Sequence, residues 1–163
     1  MRIIAIGLLG VVLAHGSAAA QTPAEQALVI RNFYWSISDY NEHRLCLDPT
    51  HASVATPAQR IFTLPVAMVF RQMIAKALEE SGGAVAAMSA PDAWTATHPR
   101  AFERVPATEL REFPEVLAQA LPGLPDFLEY RLIGRDLVLR DVEADLIVAV
   151  LRDAVGGIST IRR

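Results

Sequence analysis

Within ten residues, Glu42, His43, Cys46, Asp48 and His51 bring together carboxylates, imidazoles and a thiol. These are the donor types that hold zinc or copper, and a loop carrying them can fold around an ion. The spacing matches no standard metal site, so three readings stand side by side. The set His43, Cys46, Asp48 and His51 is a metal site, Cys46 is a nucleophile served by a histidine base, or the stretch is an ordinary polar loop with an inert buried thiol. The last is favoured.

A second cluster, Asp141, Glu143 and Asp145, alternates carboxylates as calcium loops do. It lacks the glycine that the sharp turn of such loops uses, so the pattern predicts a solvated β-turn. Tyr34, Trp35 and Tyr40 could make an aromatic binding surface, but their spacing on a helix predicts core positions. Trp94 stands alone among small residues, either as an exposed contact or as a plug that pins its loop.

Sequence motifs for catalysis are absent: no G-x-S-x-G elbow, H-E-x-x-H, C-x-x-C, phosphate-binding loop or G-x-G-x-x-G occurs. No catalytic set and no cofactor is therefore expected, and binding is favoured over catalysis. A small exported hydrolase with dispersed catalytic residues is the alternative. Fifteen basic against 18 acidic side chains give a net charge of -3 in 163 residues, with no Lys/Arg block to attract nucleic acid.

The first twenty residues read as a cleaved export signal. Arg2 supplies the positive start, Ile3 to Leu13 an uncharged apolar run, and Ala18-Ala19-Ala20 the small-residue pattern before Gln21. Cleavage between Ala20 and Gln21 would leave no stable membrane anchor, because the apolar run is about half the roughly 20 residues a spanning helix needs. Gln21 is also not the cysteine that lipid attachment requires. Export normally brings disulfides, yet Cys46 is the single cysteine, so packing must hold the domain together, and a bridge to another molecule is a further alternative to the inert buried thiol. The near-exclusive use of Arg, with Lys76 the one lysine, suits a GC-rich bacterial genome.

These residues need a scaffold, and the pattern of the chain supplies one. Thr22-Pro23-Ala24-Glu25 has the form of a capping box with proline in the first turn, so a helix should start there and run to Tyr40. Residues 41–56 read as loop, with a short extended lead-in at Ile61 to Leu64. Val66, Val69, Phe70, Met73, Ile74, Ala77 and Leu78 form one stripe of a second helix that ends before Gly82-Gly83. Residues 84–99 are small and polar and read as a flexible loop, and a short helix is expected from Pro114 to Ala120. The last part is β. Tyr130, Leu132, Leu137 and Leu139 alternate around Gly134-Arg135, which predicts a type II′ hairpin with Tyr130 opposite Leu139 and an exposed Glu129–Arg140 pair. Leu146 to Leu151 is apolar at every position, as in a strand covered on both faces.

The stretch Tyr130-Arg131-x-x-Gly134-x-x-Leu137-Val138-Leu139-x-Asp141, followed by Ile147-Val148, resembles small exported bacterial modules of the PepSY type and related periplasmic proteins of nickel and cobalt homeostasis. The likeness covers residues 127–151. It departs at the turn, where Asp-x-x-Thr-Gly would be expected and Asp141-Val142-Glu143-Ala144-Asp145 stands. The resemblance implies a non-catalytic envelope protein that binds or inhibits something. The expectation is an α+β domain over residues 21–163, two or three helices packed on a short antiparallel sheet made mainly by a C-terminal three-stranded meander. Its function would be to bind a protein or a small ligand in the periplasm or outside the cell.

Overall fold

Thr22 opens helix α1, Pro23–His43, with both halves of the capping box in place. The Glu25 amide donates to Thr22 Oγ1 at 3.3 Å, and the Thr22 amide donates to Glu25 Oε2 at 2.8 Å. The helix thus begins with two otherwise unbonded N–H groups satisfied. The computed structural model describes residues 22–44, 61–82, 99–104, 110 and 112–155. The signal segment with Ala20 and Gln21, the residues Cys46, Asp48 and His51, and Trp94 with the rest of 84–98 lie outside these residues.

Helix α2, Leu64–Glu80, follows Thr63, and the short α3, Glu115–Ala120, follows Pro114. The expected extended lead-in is instead a turn at Ile61 and Phe62, and Leu64 already belongs to the helix. Gly82, at φ +63°, ends α2 in the left-handed conformation that a side chain would strain. Strands β1, Leu128–Ile133, β2, Asp136–Asp141, and β3, Leu146–Leu151, pair antiparallel in the order β1-β2-β3. The fold is α+β, three helices with a C-terminal antiparallel meander.

Between β1 and β2 the register is the one the hairpin turn predicts, with Tyr130 opposite Leu139, Leu132 opposite Leu137 and Ile133 opposite Asp136. Gly134 is at φ +60°, as the first central residue of a type II′ turn must be. Phe33, Phe70 and Tyr130 bring α1, α2 and β1 together, with Phe33 and Phe70 ring centroids 4.8 Å apart and Phe70 and Tyr130 6.2 Å apart. Leu117 of α3 and Leu137, Leu139 and Leu151 of the sheet close the same core.

The opposite face of the sheet corrects one expectation. Arg140 is only 3% exposed and the Glu129 side chain 23%, so the pair is partly buried rather than at the surface. Two features border this part of the sheet. Ile133, Val138 and Ile147 form a second apolar cluster there, with Leu110 and Val150 against it. Residues 102–104 run along the outer edge of β3, where the Phe102 amide donates to the Ile147 carbonyl at 2.7 Å and the Ile147 amide to the Glu103 carbonyl at 2.9 Å. Arg140 donates to Glu129 Oε1 at 2.7 Å and also pairs with Asp145. Arg140→Ala should therefore cost about 1–3 kcal/mol, more than the cost of under about 1 kcal/mol that an exposed pair carries, because partly buried bonds to charged groups are lost. Urea titration checks it, and a cost within the surface range would show that the pair contributes as a surface pair does.

Candidate functional site

Helix α1 has two faces with different work. Val29, Phe33, Ile37 and Tyr40 are buried, and the outward side carries Ala27, Arg31, Tyr34, Trp35, Ser38 and Glu42, which line an open pocket together with Ile30 and Asp39. Trp35 is 78% exposed and Tyr34 42%, against the expectation that both are core. The spacing of the buried stripe explains the difference. Trp35 is two positions from Phe33, which at 3.6 residues per turn is about 200° around the helix. Tyr40 is seven from Phe33 and returns to the inner face, so of the three rings it alone is core. Among the described residues, Phe33, Tyr34, Phe62, Phe70, Phe113 and Tyr130 are linked by ring contacts, mostly tilted or edge-on, and Trp35 joins none of them.

The inner end of α1 is fastened by charge. Asp141, 1% exposed, receives the Tyr40 hydroxyl at 2.9 Å and the Arg44 guanidinium at 3.2 Å on Oδ2, and the Glu143 and Ala144 amides at 2.9 Å each on Oδ1. Arg44 also pairs with Glu143 at 2.8 Å and lies 4.3 Å from the Phe127 ring centroid. Burial, and then the neighbouring Asp141 charge, push the Tyr40 phenol well above its usual range, so it stays a hydrogen-bond donor. Burial works against the Arg44 charge, but its bonds to Glu143 and Asp141 outweigh that and hold the guanidinium above its ordinary value. This fastening carries α1 past Tyr40 to His43, so Glu42 and His43 lie on a helix rather than in the expected loop.

The same geometry decides the calcium-like cluster. Asp141 is filled by four donors, Glu143 is paired with Arg44 and Asp145 with Arg140, so each carboxylate fastens the β2–β3 turn. Asp145 supplies the left-handed residue of that turn at φ 57°, which aspartate tolerates where most side chains do not. The turn reading holds, with Asp141 buried rather than solvated.

Of the metal-site residues, the structure places His43 alone. Its Nδ1 lies 2.7 Å from the Asp39 carbonyl and its side chain is exposed. Among the described residues no group of three or more metal-ligating side chains comes together.

Glu129 joins two arginines, at 2.7 Å from both Arg131 Nη2 and Arg140 Nη1. Burial pushes its carboxyl up, but the bonds from Arg131 and Arg140 together outweigh it and hold the group below the usual carboxylate range. A carboxyl with a depressed folded value adds stability above the unfolded carboxyl range and loses it as pH falls through the folded value. Glu129→Gln should therefore lose less stability than the parent between neutral pH and about pH 3. Urea midpoints across that range check it, and parallel pH profiles would contradict it.

No described helix is long and apolar enough to cross a membrane. Comparison with protein-family models, curated proteins and solved structures finds no match.

Proposed function

We propose that this chain is an exported, non-catalytic bacterial envelope protein that binds a protein or small ligand, and that the outer face of α1 is its contact surface. The carrying observation is Trp35, a large amphipathic ring set 78% exposed on a helix whose inner side is fully engaged. Exposed aromatic side chains are enriched where proteins make contacts, since they bring large area at small entropic cost. The resemblance of the meander to small envelope modules, and the apolar run ahead of Gln21, point to export.

The test is a photoreactive amino acid placed at position 35 in the producing bacterium, with position 76 as control, since Lys76 is equally exposed on α2. Adducts at 35 and none at 76, on a protein that begins at Gln21, are expected. Absence of adducts at 35 would overturn the contact surface, and an intact Met1 on the soluble protein would overturn export.

One observation favours a second reading, a metal-binding protein that uses the 42–51 stretch. A ligating histidine commonly donates its other ring N–H to a carbonyl, and His43 Nδ1 sits in that relation to Asp39. Zinc, copper and nickel stoichiometry of the dialysed protein, compared with a His43→Ala variant, separates the two readings.

A further inference from the structure

The exposed residues of α1 form a pattern that is its own complement. Arg31 lies four residues before Trp35 and Asp39 four after it, and Leu28 and Glu42 lie seven to either side. Arg31, Trp35 and Glu42 are exposed and Leu28 is 48% exposed, while the Asp39 side chain is 44% exposed. Arg31 and Asp39 stand about 12 Å apart along the helix axis, too far to pair within one chain. Among the described residues Arg31 has no ion-pair partner, and Asp39 meets only His43.

We propose that the partner of this face is a second copy of the chain, with two α1 helices antiparallel across a two-fold axis beside Trp35. The proposal rests on the reading of the outer face of α1 as a contact surface. A two-fold contact needs a patch that complements itself, so that a residue at one distance before the axis meets the residue at the same distance after it. Here that rule sets Arg31 of each copy against Asp39 of the other, two ion pairs in all. It also sets Leu28 against the aliphatic stem of Glu42. The two indoles meet at the axis, where ring stacking and the neighbouring guanidinium favour contact. A single helix pair of this length buries less than a standard interface, so the dimer is reversible and weakened by salt.

Sedimentation velocity of the purified exported protein, over a concentration series at low and high salt, tests this with R31D and D39R. The wild type should dimerise with concentration, and more weakly in high salt. Each variant alone faces like charges across the axis and should dimerise about tenfold more weakly or worse. An equimolar mixture of the two should dimerise again, because every cross-axis contact then joins opposite charges. That recovery also shows that neither variant has simply failed to fold. A wild type that stays monomeric, or a mixture that stays monomeric where the wild type dimerises, overturns the proposal. If the monomeric wild type still forms adducts at position 35 with another protein in the cell, self-association falls and the contact surface stands. If it forms none, both fall.

Discussion

A chain ending at Pro125 is expected not to fold. The meander supplies Leu128, Tyr130, Leu137, Leu139, Val148 and Leu151 to the core that α1 and α2 share. Each large apolar side chain is worth about 1.5–3 kcal/mol on burial. Losing them together exceeds or approaches a typical net stability of about 5–15 kcal/mol. The truncation also strips Asp141 from Tyr40 and Arg44, so the end of α1 loses its anchor at the same time. Circular dichroism and the dispersion of amide resonances would show an unfolded chain. A cooperative unfolding transition in the truncated protein would mean that the helices make a core of their own.

Asp141→Ala carries the next largest effect, a loss of about 3–5 kcal/mol, the range for removing one partner of a buried ion pair. The carboxylate is 1% exposed and bridges two distant elements while bonding two turn amides. Its removal leaves the Tyr40 hydroxyl without its acceptor and Arg44 with Glu143 as its one carboxylate partner among the described residues. Tyr40→Phe should cost far less, about 0.5–1.5 kcal/mol, because it removes one bond and strands no charge. Urea titration of the pair is the check. Equal losses would place the weight on the phenol and not on the carboxylate.

Local signals carried most of the fold. The capping box at Thr22, the apolar stripe of α2 and the Gly134-Arg135 turn each act within a few residues, and the hairpin register followed from the turn alone. What sequence pattern could not show is tertiary. Alternation marked Arg140 as outward-facing, yet it is 3% exposed, on a sheet face whose apolar cluster of Ile133, Val138 and Ile147 takes in Leu110 from elsewhere in the chain. The end of α1 depends on Asp141, about a hundred positions away, so no local rule could extend the helix to His43. For the candidate site, the missed signal was present. Val29, Phe33, Ile37 and Tyr40 already define one stripe, and Trp35 lies on the far side of it.

The central claim is that the outer face of α1 serves contact and not folding. Hydroxyl-radical footprinting of Trp35 tests it most directly, comparing dilute purified protein with the protein in intact producing cells. The ring is exposed and outside the aromatic core, so it should oxidise readily in dilute solution and be strongly protected in the cell, while exposed Met68 on α2 oxidises alike in both. Equal oxidation of Trp35 in the two settings would contradict the account.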